Sequence, residues 1–166
     1  MDRILGAAVA IILGLLALAG LTGAVSGAFG GNKATTVTQD VTQLMTNARA
    51  QFSQGGSGYA NFTTANSAAL ITAGIPPSGM VRGAAIFDAW GNPVTLAPAG
   101  GSAQGVVSFG GGNAETAKQC VTVVTSLKDY VSLTVNGTTF TPAALPDPVA
   151  AAAACTDTAS FVLTFQ

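Results

Sequence analysis

The sequence predicts an α+β protein, in which a long N-terminal helix precedes a small globular head with an antiparallel sheet and one or two short helices. Residues 4–29 contain no charged side chain, so the first half of the helix is apolar all round. Apolar residues then recur every three or four positions, which predicts an amphipathic second half. Short β-type runs between turn residues predict the sheet. We therefore divide the chain into an apolar helix at 1–31, an amphipathic helix at 32–54 and a head at 55–166.

Composition excludes several classes of function. The chain has 166 residues and a net charge of −1, and charged residues make up only 8%, against about 25% in typical domains. The lack of a basic cluster argues against nucleic-acid binding. The sequence has no histidine, so a Ser-His-Asp or Cys-His catalytic set cannot form and the commonest metal ligand is missing. We expect no enzyme activity and no cofactor.

The apolar segment 4–29 is long enough to cross a membrane. As a helix it would extend about 39 Å at about 1.5 Å per residue, whereas about 20 residues already span a bilayer core. Asp2 and Arg3 precede it and Lys33 follows it. A cleaved signal peptide has an apolar core of about 7–15 residues, so we expect this longer segment to be retained. A plain single-pass anchor is the remaining alternative.

Glycines are frequent toward the end of this segment. Small residues let helices approach closely in apolar surroundings, and each glycine destabilises a helix interior by about 1 kcal/mol relative to alanine. The glycines predict a place where the helix loosens, unless they belong to a membrane helix that simply tolerates them. They are Gly20, Gly23, Gly27, Gly30 and Gly31.

The second half of the helix carries a single apolar stripe. Because a one-sided helix must bury that stripe, we expect it to pack on the head. The glycine-rich residues Gln54–Gly58 end the helix. The stripe consists of Ala34, Val37, Val41, Leu44, Met45, Ala48 and Phe52.

The head is predicted to contain several strands and a first short helix. Asn136-Gly137 is a strong hairpin signal between two β-type runs. Ala85–Phe87 and Pro93–Leu96 are predicted to be short strands joined through Trp90-Gly91-Asn92, with Trp90 as a packing residue. The predicted strands are 85–87, 93–96, 106–109, 131–135, 138–141 and 159–165, and the first short helix is 64–73.

A second short helix is predicted after Gly110-Gly111-Gly112. We expect Asn113 to cap it, Glu115 to lie in its first turn and Lys128 in its last. The glycine run lacks the rest of a phosphate-binding motif and is interpreted as a turn. The predicted buried stripe of this helix is Ala117, Cys120, Val121, Val124 and Leu127.

The remaining polar and loop residues are interpreted without a binding role. Pro142–Ala154 is expected to be a loop rich in proline and alanine. Several acidic residues are scattered without the spacing of a metal-binding loop and are interpreted as solvated surface groups. They are Asp88, Asp129, Asp147 and Asp157.

Two cysteines, Cys120 and Cys155, occur in the chain. An even number favours a disulfide in an exported chain and two free thiols in the cytosol. Because the apolar segment favours export, we predict a disulfide between them. In the chain-entropy model such a bond stabilises the fold by about 3–4 kcal/mol.

The order of these features resembles that of type IV pilins, in particular the type IVb subgroup, which includes the thin pili of conjugative plasmids and the bundle-forming pilins. The apolar helix, its amphipathic continuation, the small head and the late disulfide are all similar. The resemblance covers almost the whole chain. The segments that carry it are Asn32–Ala48, Gly58–Thr63, Ile71–Pro76, Met80-Val81, Ala89–Thr95, and Cys120 with Cys155.

The resemblance implies a structural subunit whose partners are other copies of itself. Such subunits are made with a short leader, held in the bacterial inner membrane, cleaved by a prepilin peptidase and stacked by the pilus assembly machinery into an extracellular filament. The family usually has Glu at the fifth mature position, where this chain has Leu5. We expect Asp2 to replace it by pairing with Arg3 or with the amino group of a neighbour. Met1 is either the processed N-terminus or the gene start.

Three functions follow from this interpretation. The first is a major pilin of a surface filament for adhesion, aggregation or conjugative DNA transfer. The second is a minor pilin or pseudopilin that caps or primes a fibre. The third is a monomeric membrane-anchored extracytoplasmic binding domain. Specificity is expected in the head loops Ala97–Gln104 and Thr141–Ala154.

Overall fold

The computed structural model describes residues 32–112 and 114–166, and they form the predicted α+β fold. Within these two ranges, no helix combines the length and the apolar character needed to cross a membrane. The predictions that fall outside them concern Met1, Asp2, Arg3, Gly20, Gly23, Gly27, Gly30, Gly31 and Asn113.

Helix α1, residues 32–52, packs its apolar stripe on the head as predicted. Phe52 is half-buried at its end, and its ring centroid lies 5.6 Å from that of Tyr59. Edge contacts from Phe62 to Tyr59 and to Phe165 extend this aromatic group to the last strand. The stripe residues that are at most 1% exposed are Ala34, Val37, Val41, Leu44, Met45 and Ala48.

Two short segments connect α1 to the main sheet. Helix α2, Ser67–Thr72, is shorter than predicted because residues Thr64–Asn66 form a 3-10 turn before it. Strands β1, Val81–Arg82, and β2, Ala85–Ile86, pair with each other. Ala85 and Ile86 of the predicted strand 85–87 thus form β2, and an isolated bridge joins Phe87 to Pro93.

The main sheet is antiparallel throughout and has the strand order β3-β4-β7-β5-β6. The C-terminal strand β7 lies in its middle, and every second residue of β7 is buried. Asn136 and Gly137 both adopt positive φ in the β5–β6 hairpin, so the hairpin prediction is confirmed. The strands are β3, Thr95–Ala99; β4, Gln104–Gly110; β5, Ser132–Val135; β6, Thr138–Phe140; and β7, Ser160–Phe165.

Helix α3, Ala117–Ser126, begins later than predicted. Its N-cap is Thr116, whose side chain accepts from the Gln119 amide while the Gln119 side chain accepts from the Thr116 amide. The placement of Glu115 in the first turn is wrong, because Glu115 precedes the cap. The helix buries Gln119, Cys120, Val123 and Val124. The predicted stripe is confirmed at Cys120, Val124 and Leu127, while Val121 is partly buried against the core and Ala117 is half-buried.

Helix α4, Pro148–Ala154, occupies part of the segment that was predicted to be a loop. Asp147 caps it by accepting from the amides of Val149 and Ala150, and proline is favoured in the first turn. A run of alanines follows, and alanine has the highest helix propensity of any residue. The prediction of a loop was based on the prolines and is wrong for these residues, because the Asp147 cap and the alanine run together favour a helix.

Candidate assembly site

The cysteines are joined as the sequence predicts. Cys120 in α3 and Cys155 after α4 form a disulfide with a Cα–Cα distance of 5.7 Å. Both residues are buried. The bond ties the short alanine helix to α3 and so holds the C-terminal segment before it enters the middle of the sheet.

The glycine run at the end of β4 surrounds two carboxylates of the same chain. The Gly110 amide donates to Asp88 Oδ2 at 3.0 Å. The Gly111 and Gly112 amides donate to Glu115 Oε1 at 2.5 Å and 3.1 Å. Consecutive backbone amides of this kind form an anion site, and here the anions are side chains. The turn interpretation is confirmed for the glycines, and the prediction that Asp88 is a solvated surface group is wrong.

Asn92 joins the two carboxylates. Its Nδ2 lies 3.2 Å from Asp88 Oδ2 and 3.3 Å from Glu115 Oε2, and its amide donates to Asp88 Oδ1 at 2.8 Å. Asp88 and Glu115 are only 1% and 2% exposed. Buried carboxylates are tolerated when donors satisfy them, so this carboxylate cluster, Asp88, Asn92 and Glu115, acts as a polar brace between the 88–92 turn and the start of α3.

The outer face of α1 has few charges and is covered by threonines. The hydroxyl groups of Thr38, Thr42 and Thr46 donate to the carbonyl oxygens four residues earlier, at 3.0, 2.7 and 2.9 Å. We call these residues the threonine row. Because the hydroxyls are satisfied within the helix, the row presents mainly methyl groups outward. In 32–52 the charged residues are Lys33, Asp40 and Arg49.

Arg49 connects α1 to the C-terminus. Its Nε donates to the carbonyl of Gln166 at 2.8 Å and its Nη2 donates to the carbonyl of Asp129. Its guanidinium lies 5.5 Å from the centre of the Phe165 ring. Burial raises the pKa of the nearby Tyr59 hydroxyl, and the charge of Arg49 partly opposes that shift.

Asp40 is the acidic residue of α1, and it is half-buried. Its carboxylate faces Gly79, whose added Cβ would lie 3.8 Å from both oxygens. Among the described residues it has neither a hydrogen-bond partner nor an ion-pair partner. Burial raises the pKa of the Asp40 carboxyl above its usual range.

A groove runs beside Asp40, between the outer face of α1 and the segment that leads to β1. Its volume is about 540 Å³. The side chains of Gln43 and Asn47 form one wall, and Asn47 Nδ2 donates to the carbonyl of Ile75 at 3.0 Å. We call this cavity the α1 groove. Its lining is Gln43, Asn47, Ile71, Gly74, Pro76, Pro77, Ser78 and Val81.

The two loops expected to carry specificity have different structures. Ala97–Gln104 contains the end of β3, a 3-10 turn and the start of β4. Thr141–Ala154 contains α4 and two of the most exposed large apolar side chains, Leu145 at 58% and Val149 at 79%. No group of three or more acidic or cysteine side chains in the described parts of the chain could hold a metal ion.

Comparison with known proteins agrees with the resemblance seen in the sequence. A family model described as PilS N terminal matches residues 31–166. The structure is similar to that of a type IV b pilin from Salmonella typhi, with a TM-score of 0.61 and 23% identity over 82% of this chain and 99% of that chain. It is also similar to TcpA, a type IV pilin from Vibrio cholerae El Tor biotype, with a TM-score of 0.50 and 19% identity over 81% and 98% of the two chains.

The sequence matches no curated protein. The family model nevertheless covers far more than half of the chain, and the similar solved structures share its fold. The chain is therefore a member of the PilS family and belongs to the type IV pilins, with a head of the type IVb fold.

Proposed function

We propose that the chain is the major structural subunit of a type IVb-like pilus, a surface filament for adhesion, aggregation or conjugative DNA transfer. The observation that supports this most is the outer face of α1, where the threonine row replaces the charges expected on a solvated helix. In sequence, the threonine row follows the uncharged segment 4–29, with Lys33 as the one charged residue between Phe29 and Thr38. Both halves of the helix are thus suited to burial against other copies.

The threonine row suits burial for a specific reason. Burying a hydroxyl without a partner costs about 1–3 kcal/mol in proteins. The hydroxyls of Thr38, Thr42 and Thr46 keep their partners when the helix is buried, because those partners are carbonyls of the same helix. A neighbouring subunit can therefore cover this face without breaking a hydrogen bond. A monomeric binding domain would gain nothing from such a face.

The assembly route that we propose follows from family membership. Residues 1–31 anchor the subunit in the bacterial inner membrane and later fill the filament core, residues 32–54 pack on the head, and residues 55–166 coat the filament. A prepilin peptidase and the pilus assembly machinery are the other partners. Asp2 supplies the negative charge that Leu5 lacks, paired with Arg3 or with a neighbour's Met1 amino group.

Shearing cells that make the chain tests this proposal. Electron microscopy of the sheared material is expected to show helical fibres, and mass spectrometry is expected to find this chain as their most abundant protein. Trace amounts in fibres built of another subunit would instead indicate a minor pilin. Monomers alone would indicate an anchored binding domain and would contradict the proposal.

The charged N-terminus has its own test. Asp2→Ala subunits are expected to assemble poorly, because an unpaired amino group in an apolar filament core would be unfavourable by several kcal/mol. Normal fibre yield from Asp2→Ala would remove the role given to Asp2 and leave the proposed function standing. Substitution of an exposed head residue, Thr138→Ala, is the matched control.

A further inference from the structure

The described residues contain no partner for the carboxylate of Asp40. It is half-buried over Gly79, and burial raises the pKa of its carboxyl without any opposing contribution from a nearby cation. A group that loses hydration and gains no partner destabilises the free subunit. Features of this kind are expected where a protein sacrifices stability for function.

The surroundings of Asp40 indicate which kind of partner surface would bind there. Asp40, Gln43 and Asn47 are spaced by three and four residues, so they lie on one face of α1. The α1 groove on that face is lined on its other side by Ile71, Pro76, Pro77 and Val81. A partner that fits would bring an apolar side chain for the groove and a cation for the carboxylate beside it.

The chain itself presents that combination on another part of the head. Lys128 and Leu145 line the same recess together with Asp129, Tyr130 and Pro142. Leu145 is 58% exposed, and Lys128 is exposed, with its Nζ donating to the carbonyl of Thr125 at 3.0 Å. We call Lys128 and Leu145 the Lys128–Leu145 patch. Within the described residues, no acid lies within ion-pair distance of Lys128.

We propose that the α1 groove of one subunit receives Leu145 of a second copy of the chain, and that Lys128 of that copy pairs with Asp40. This inference rests on the proposed function, because it names a contact inside the filament. The two surfaces are complementary in charge and in apolar character. They are also different surfaces, so the contact is head-to-tail, and a contact of that type that does not close on itself generates an open helical polymer.

Two other cations of the described residues, Arg49 and Arg82, already have contacts within the subunit. Arg49 is occupied by the carbonyls of Asp129 and Gln166. Arg82 lies over the ring of Phe87, 5.1 Å from its centre. Lys128 lies in one recess with Leu145, an exposed large apolar side chain, and this is the pairing that the α1 groove requires.

Charge reversal in the full-length chain, produced with its assembly machinery, tests this contact. Asp40→Lys and Lys128→Asp are each expected to lower the yield of sheared fibres by roughly tenfold or more, because each places like charges together. The double variant that exchanges the two charges is expected to restore most of the yield. Leu145→Asp is expected to act like Lys128→Asp. Lys118→Asp, which reverses an exposed cation on α3 away from the patch, is the matched control.

The outcomes separate the contact from the proposed function. Parent-like yield from Lys128→Asp or Leu145→Asp, or an exchange variant no better than the single variants, would overturn the contact alone. Absence of fibres from the parent chain would overturn both. Thermal melting of each purified variant shows whether it folds, and Asp40→Asn and Lys128→Gln repeat the test with smaller changes if a reversed charge unfolds the head.

Discussion

Asp88 and Asp40 are both withdrawn from water, yet the protein surrounds them in opposite ways. Asp88 is 1% exposed and accepts from the amides of Asn92 and Gly110 and from the Asn92 side chain. Asp40 is half-buried and has no partner among the described residues. The comparison suggests a division of roles, in which a satisfied buried acid belongs to the fold and an unsatisfied one on the rim belongs to assembly.

The largest expected effect concerns Asp88. Asp88→Asn keeps the shape but replaces one acceptor oxygen by a donor that faces the donors of Gly110 and Asn92, and each buried unsatisfied group costs about 1–3 kcal/mol. We expect the free energy of unfolding to fall by about 3 kcal/mol in denaturant titrations. Asp129→Asn changes an exposed carboxylate and is the control, with an expected change within about 0.5 kcal/mol. Equal losses of unfolding free energy in Asp88→Asn and Asp129→Asn would contradict the bracing role of the carboxylate cluster.

Gly112 tests the same cluster from the backbone side. A Cβ at this position would lie 1.8 Å from Asn92 Oδ1, and Asn92 cannot move without giving up its bonds to both carboxylates. Gly112→Ala is expected to lower the free energy of unfolding by about 1–3 kcal/mol. Gly56→Ala is the control, since nothing lies within 4 Å of its added Cβ. An unchanged free energy of unfolding in Gly112→Ala would show that Asn92 can move aside without loss of stability.

The two faces of α1 give a matched pair of substitutions at adjacent positions. Val41 is fully buried against the head, so Val41→Ala removes two methyl groups from the core and leaves a cavity, which is expected to cost about 2 kcal/mol. Thr42 lies on the outer face and satisfies its hydroxyl within the helix, so Thr42→Val is expected to change stability by less than about 0.5 kcal/mol. Thermal melting of both variants measures the difference. A larger effect at Thr42 would reverse the assignment of the two faces.

The smallest expected effect is a gain in stability when Asp40 is replaced by asparagine. Because burial raises the pKa of its carboxyl in the folded state, the folded subunit binds that proton more tightly than the unfolded chain does. The loss of folding stability caused by the charged Asp40 carboxylate is therefore fully present above the raised pKa. It disappears as the pH falls below the usual carboxyl pKa of about 3.9. We expect Asp40→Asn to raise the melting temperature at pH 7 and to equal the parent near pH 3. A variant that is less stable than the parent at pH 7 would show that Asp40 has a partner inside the subunit.

Elements whose signals are local were predictable from the sequence. The apolar stripe of α1, the Asn136-Gly137 hairpin and strand β7 all follow from periodicity or turn chemistry over a few residues, and the structure contains each of them. The number of cysteines and the export that the apolar segment favours predict the disulfide, and the structure contains the bond between Cys120 and Cys155.

The carboxylate cluster was missed because its signal is not local. Asp88 meets the Gly110 amide across a separation of 22 residues, and nothing beside Asp88 in the sequence marks it as buried. The spacing of Asp88 and Asn92 is compatible with a turn closed by an aspartate, and the glycine run offers free amides. Only these two signals taken together could have indicated the cluster. The cap of α3 was missed because Thr116 with Gln119 competes with Asn113 and Glu115 for that role.

The sequence by itself determined which parts of the chain must leave water, since the uncharged segment 4–29 and the one-sided stripe of α1 are properties of composition and period. It also determined the hairpin and the cysteine pair. The tertiary structure alone decided how the two buried acids are joined, because Asp88 accepts from Gly110, 22 residues away, and Glu115 accepts from Asn92, 23 residues away. For the same reason it alone left Asp40 beside the α1 groove with no cation among the described residues to pair with it. Burial follows from side-chain chemistry, but the partner of a buried charge depends on geometry between segments far apart in the chain.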